Sequence, residues 1–155
     1  MSESKFKEIR NLDLAGRALQ KAGKYGGAII LREAACRRYE AIFKNGSSDD
    51  MKYWATYDAA RCMTGLADCY RKTGNLRRSV IYELKAEKLF FKWRKRPDAA
   101  YCLVRASEDL EDLEKIVFVK KLSGLAKRLF ETCRGIPGNS LGLSLYAMIE
   151  KYNIN

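Results

Sequence analysis

Histidine is absent from the 155-residue sequence, and proline occurs only twice, at Pro97 and Pro137. Without histidine the chain cannot form a Ser-His-Asp triad, a Cys–His dyad or a site with imidazole metal ligands. We therefore expect a non-enzymatic protein with no catalytic residues, no cofactor and no metal site. Long apolar runs are lacking as well, since stretches such as 116–119 are far too short to span a bilayer.

The cysteines give no sign of a disulfide or zinc framework. They are odd in number and form no Cys-x-x-Cys pair: Cys36, Cys62, Cys69, Cys102 and Cys133. The first ten residues lack the apolar core of a signal peptide. We expect an intracellular, reduced protein, cytoplasmic or alternatively nuclear, whose cysteines are small core residues.

The formal net charge is +11, and it is concentrated in the middle of the chain. The segment 51–97 carries 12 Lys and Arg against 4 Asp and Glu, whereas 98–155 is neutral overall. A basic protein favours polyanionic partners, which include acidic peptides, nucleic acid, ribosomes and anionic membrane surfaces.

Apolar residues recur at steps of three and four, and no alternating strand pattern is bounded by a hairpin turn. The pattern predicts an all-α fold with helices over 3–22, 26–44, 49–72 and 76–95. A final amphipathic helix is predicted over 139–153. The segment 97–132 has no internal glycine-proline punctuation, which allows one long helix.

Internal repetition favours two helices in that segment. Asp58-Ala59-Ala60-x-Cys62 recurs 40 residues later as Asp98-Ala99-Ala100-x-Cys102. At the same offset the turn Gly74-Asn75 falls on Glu114-Lys115, which predicts a break near Glu114. The first part of the chain aligns at an offset of 51, where Gly23-Lys24-Tyr25 matches Gly74-Asn75-Leu76.

These motifs resemble the tetratricopeptide repeat (TPR), in which a Leu–small–x2–Tyr helix precedes a Gly-Asn turn. The matching strings are Leu66-Ala67-x-x-Tyr70-x-x-x-Gly74-Asn75 and Ala15-Gly16-x-x-Leu19-x-x-x-Gly23-Lys24. The resemblance implies one domain, 1–155, folded as a right-handed α-solenoid. Three antiparallel hairpins (about 4–44, 49–95 and 97–134) would be followed by the 139–153 helix as a cap. The 40-residue period is similar to that of the soluble NSF attachment proteins (SNAPs).

The resemblance also implies a concave groove lined by the first helix of each pair. The basic residues at groove positions are Arg10, Arg17, Lys21, Arg61, Arg71, Lys72 and Arg105. We expect an interaction module, as an adaptor, scaffold or chaperone-like protein, that binds an acidic segment of a protein partner there. Exposed apolar end faces also allow a homo-oligomer.

The segment 85–96 supports an alternative function, because it interleaves cations with aromatic residues. Its candidate residues are Lys85, Lys88, Lys92, Trp93, Arg94, Lys95 and Arg96. Such a patch suits phosphate contact and base stacking in a ribosome- or RNA-associated protein. The simpler interpretation is that Leu89, Phe90 and Trp93, which lie at helical spacing, belong to the core and that the cations form a solvated helix end.

Overall fold

The computed structural model of the chain describes residues 3–44, 49–132 and 151. Within these ranges it shows six helices: α1 (Glu3–Lys21), α2 (Tyr25–Lys44), α3 (Asp49–Lys72), α4 (Leu76–Lys92), α5 (Arg96–Asp112) and α6 (Ile116–Glu131). The same ranges contain no strand, so the all-α prediction is confirmed. None of the described helices has both the length and the apolar character to cross a membrane.

Each helix packs extensively against the helix before it and the helix after it, and α1 also contacts α3. This succession of neighbouring contacts is compatible with a helical repeat. Small residues lie where the helices approach most closely, and alanines from the repeat motifs are fully buried: Ala28, Ala35, Ala67, Ala86 and Ala126. One apolar cluster contains buried residues from each of the five helices α1 to α5, and a second contains buried residues from α5 and α6.

The cysteines of the described ranges are free and buried, as predicted. The Sγ atoms of Cys36 and Cys62 lie 3.4 Å apart in the interior. Their hydrogen bond and burial raise the pKa of the Cys62 thiol. Burial and the raised thiol pKa make Cys62 a small core residue rather than a reactive nucleophile.

Four helix-to-helix turns share one geometry. In each, a residue with positive φ follows the helix: Gly23 (72°), Gly74 (79°), Arg94 (55°) and Glu114 (58°). The next residue donates its backbone N–H to a carbonyl five residues back, as Lys24 does to Leu19 at 2.9 Å and Lys115 to Leu110 at 2.8 Å. This is the Schellman helix ending, in which glycine is usual because positive φ strains other residues.

The break predicted near Glu114 is confirmed, although that turn contains no glycine. The predicted end of α4 at residue 95 is wrong, because the helix ends at Lys92 and α5 begins at Arg96. Trp93 caps α4 and Arg94 takes the left-handed conformation, which ends the helix before Pro97 is reached. The predicted helix 139–153 lies outside the described residues, except for Lys151.

Candidate functional site

A buried arginine on α2 organises the face where α1, α2 and α3 meet. Only 3% of the surface of Arg32 is exposed. Its Nη2 donates to Gln20 Oε1 at 2.7 Å, and its Nη1 lies 3.6 Å from Asp13 Oδ1. Nη1 also donates to the carbonyl oxygen of Cys62 at 3.4 Å. Because a buried charge is costly unless it is paired, these contacts are needed to hold the guanidinium inside.

Two glycines make room for Arg32, one from each neighbouring helix. A Cβ atom added at Gly65 would lie 1.6 Å from Arg32 Nη1, and one added at Gly16 would lie 2.8 Å from Arg32 Cγ. Both glycines lie inside helices predicted from the apolar spacing, where glycine is otherwise unfavourable. Arg32 was not among the predicted site residues, although glycines at those two positions are a signal of a large side chain between the helices.

Beside Arg32 lies a cavity of about 490 Å³, which is the first part of the candidate site. It brings together three of the seven predicted groove cations, Arg17, Lys21 and Arg61. Arg17 pairs with Asp13 at 2.7 Å, and the guanidinium of Arg61 lies 5.8 Å from the ring centroid of Tyr57. In the described part of the chain, neither Lys21 nor Arg61 has a carboxylate partner. This end of the site is therefore positively charged.

An adjoining cavity of about 240 Å³ contains two more predicted cations, Arg71 and Arg105, but here the charge is neutralised. Arg71 makes two hydrogen bonds to Asp109, at 2.5 and 2.9 Å, and lies 3.4 Å from Glu83. Arg105 pairs with Asp68 at 3.3 Å. These contacts join α3, α4 and α5, so Arg71 is chiefly a structural residue.

Glu83 is the most perturbed carboxyl in this cluster. It is 1% exposed, and its Oε2 atom has no hydrogen-bond partner among the described atoms. Burial raises the pKa of Glu83 to about 7, and the nearby charge of Arg71 opposes that rise. Near neutral pH the acid is therefore partly protonated, which leaves Asp109 as the principal counter-ion of Arg71.

The remaining two groove predictions lie away from both cavities. Arg10 donates to Asp58 at 2.6 Å, and this hydrogen bond raises the pKa of the arginine. Lys72 is exposed in the last turn of α3. Neither residue lines the cavities described above.

The basic-aromatic segment 85–96 is divided between a helix end and a turn. Trp93 is half-buried against Tyr53, with ring centroids 4.9 Å apart, and Phe90 lies in the core. Phe91 is 53% exposed, so it is the aromatic ring of this segment that is most available for stacking. Five of the six predicted cations are exposed: Lys85, Lys88, Lys92, Arg94 and Arg96. Lys85 pairs with Glu40, and the sixth cation, Lys95, lies over the ring of Tyr57.

The chain matches no model of a known protein family, and no curated protein matches it at a significant level.

Proposed function

We propose that the chain is a TPR-like right-handed α-solenoid of three hairpins, of the longer SNAP-like type, with a capping helix over 139–153. Its proposed function is that of a non-enzymatic adaptor or scaffold. The repeat motifs and the succession of neighbouring helix contacts support this architecture. We further propose an intracellular location, in the cytoplasm or nucleus, and an acidic segment of a protein as the ligand.

The observation that carries the proposal is the unequal neutralisation of the two cavities. Asp13 is engaged by Arg17 and Arg32, and Asp68 is engaged by Gln20, Arg71 and Arg105. Lys21 and Arg61 line the same cavity without a carboxylate partner among the described residues. The ligand that completes such a site is a carboxylate-bearing segment, since charge-assisted hydrogen bonds are the stronger ones.

Arg32 contributes to the site by fixing its floor. Its contacts hold Gln20 and Asp13 in place, and Asp13 in turn orients Arg17. Arg17 is therefore held before binding, which reduces the side-chain entropy that it loses when the ligand arrives. We therefore place the binding centre at Arg17, Lys21 and Arg61, and we assign Arg71 a structural role.

Charge reversal tests this assignment. The probe is a fluorescein-labelled peptide of ten glutamates, with binding followed by fluorescence anisotropy at fixed salt. Arg61→Glu should weaken binding at least tenfold, because it removes one unpaired cation and adds a repelling carboxylate. The matched control is Lys72→Glu, which makes the same change of net charge on the same helix outside the cavity, and should change binding less than twofold. Equal losses for the two variants would show that the peptide responds only to overall charge.

The alternative function, association with RNA or ribosomes, is favoured by one observation, the exposed ring of Phe91 among exposed cations. A labelled oligouridine of 20 nucleotides should then bind with an affinity that falls steeply as the salt concentration rises. Phe91→Ala should weaken this binding about tenfold through loss of stacking. Arg61→Glu should weaken RNA binding less, because Arg61 lies outside the basic-aromatic segment 85–96. If Phe91→Ala leaves the affinity unchanged at every salt concentration, the patch does not bind RNA bases.

A further inference from the structure

A second groove, lined almost entirely by apolar side chains, lies where the start of α6 meets α4 and the end of α5. Its volume is about 520 Å³. The lining residues are Arg77, Val80, Ile81, Leu84, Leu110, Leu113, Lys115, Phe118 and Leu122. Ile81 is 52% exposed and Phe118 is 56% exposed, so part of the apolar lining faces solvent.

The repeat alignment identifies the equivalent place between α2, α3 and α4, and there the groove is filled. Tyr70 donates its hydroxyl to Glu33 and accepts a hydrogen bond from Arg78 Nη1 at 2.7 Å. The Tyr70 ring also stacks on Tyr82, with centroids 5.7 Å apart and an angle of 12° between the planes. A tyrosine and its polar partners therefore close this position.

In the groove between α4, α5 and α6, an apolar residue stands at each of the equivalent positions. The 40-residue offset puts Leu110 at the position of Tyr70, and the offset of 51 puts Leu84 at that of Glu33. Phe118 and Leu122 take the positions of Arg78 and Tyr82. Leucine is smaller than tyrosine and has no hydroxyl, so the polar closure cannot form. An open apolar groove therefore remains at the position where the neighbouring repeat holds an aromatic ring.

The charge at the edge of the groove indicates what kind of partner would supply that ring. Arg77 and Lys115 are both exposed, and none of the nine lining residues is acidic. A second copy of this chain, with its net charge of +11, is a poor match for a cationic edge. A segment with carboxylates beside its apolar residues matches both the lining and the edge.

We propose that this groove binds an amphipathic segment of a protein partner. An aromatic side chain of the segment packs against Leu110 and Phe118, and flanking Asp or Glu residues pair with Arg77 and Lys115. Aromatic anchors in apolar pockets are the usual source of affinity at protein interfaces. This site is separate from the cation-lined cavity, and the proposal holds whether or not that cavity binds an acidic segment.

The test is selection of random 12-residue peptides displayed on phage, with the full chain as bait. The expected peptides share an aromatic residue, an aliphatic residue three or four positions away and neighbouring Asp or Glu. A selected peptide should bind at least tenfold more weakly to the double variant Leu110→Tyr/Phe118→Arg, which rebuilds the tyrosine–arginine pair of the neighbouring repeat. The matched control is Val117→Arg, which adds the same charge at an 80% exposed residue outside the groove and should change binding less than twofold.

Further measurements make each outcome decisive. If the double variant does not show the helical circular dichroism of the native protein, Ile81→Glu replaces it, since that half-exposed residue can change without disturbing the core. Replacing the peptide's Asp and Glu by Asn and Gln should weaken binding at least threefold. The proposal is overturned if no peptide is enriched, if enriched peptides lack an aromatic residue, or if the groove variants bind them as the native chain does. A native dimer that the groove variant dissociates in sedimentation would also overturn it, because the occupant would then be a second copy.

Discussion

Replacing Gly65 with alanine should destabilise the fold, although alanine is the better helix former. The added Cβ would lie 1.6 Å from Arg32 Nη1 and 2.5 Å from Arg32 Cζ, so the guanidinium must leave its place. It would then lose its contacts with Gln20, Asp13 and the Cys62 carbonyl. Breaking a buried charged contact costs about 3–5 kcal/mol. The higher helix propensity of alanine offsets about 1 kcal/mol of this cost, so the free energy of unfolding should fall by about 3 kcal/mol in total.

Urea unfolding followed by circular dichroism measures this loss, and Gly26→Ala is the matched control. A Cβ atom at Gly26 would have no atom within 4 Å, so the same substitution there should raise the free energy of unfolding by up to about 1 kcal/mol. The two alanine variants should therefore differ in the sign of their effect.

A double variant separates the clash with Arg32 from any other cause. In an Arg32→Met background the guanidinium is gone, so Gly65→Ala should become stabilising by about 1 kcal/mol. If Gly65→Ala destabilises the protein equally in both backgrounds, the glycine is not there to make room for Arg32, and the reasoning fails.

Three further predictions concern single side chains. The folded-state pKa of Glu83, about 7, exceeds the ordinary 4.5, so folded protein retains a proton that the unfolded chain loses in this window. The free energy of unfolding should consequently fall by about 3 kcal/mol as the pH rises from 4.5 to 8, and Glu83→Gln should flatten this fall in pH-dependent urea titrations. Glu114→Gly should raise the free energy of unfolding by about 1 kcal/mol in urea, since it relieves the left-handed conformation at φ 58°. Tyr70→Phe should lower the thermal midpoint by a few degrees, because the hydroxyl's contacts with Glu33 and Arg78 are worth about 1 kcal/mol.

The helices could be predicted from the sequence because their signals are local or repeated. The apolar spacing predicted α1, α2 and α3 to within one residue at each end. The break at Glu114 has no local signal, and only the 40-residue repetition revealed it. The predicted end of α4 lies three residues beyond the observed one. The helix ends early because Arg94 adopts a positive φ, which is unusual for arginine and could not be predicted from its residue type.

The candidate site was harder to predict, because it depends on which charges meet across helices. Arg71 and Arg61 both occupy α3, yet Asp109 and Glu83 neutralise the first and no described carboxylate meets the second. Periodicity assigns a side chain to a face of its helix but does not identify the residue opposite. Arg32 was overlooked for the same reason, since its burial depends on glycines that α1 and α3 supply separately.

Among the described helices, extensive packing occurs only between neighbours along the chain, and this affects how the protein unfolds. A helix at one end of such a row can detach while the others keep their own contacts, so unfolding need not be a single concerted event. The Arg71 cluster joins three consecutive helices in the middle of the row and resists that loss. Amide protons of α3, α4 and α5 should accordingly exchange more slowly than those of α1. Among the described helices, the part most resistant to opening would then coincide with the neutral half of the candidate site.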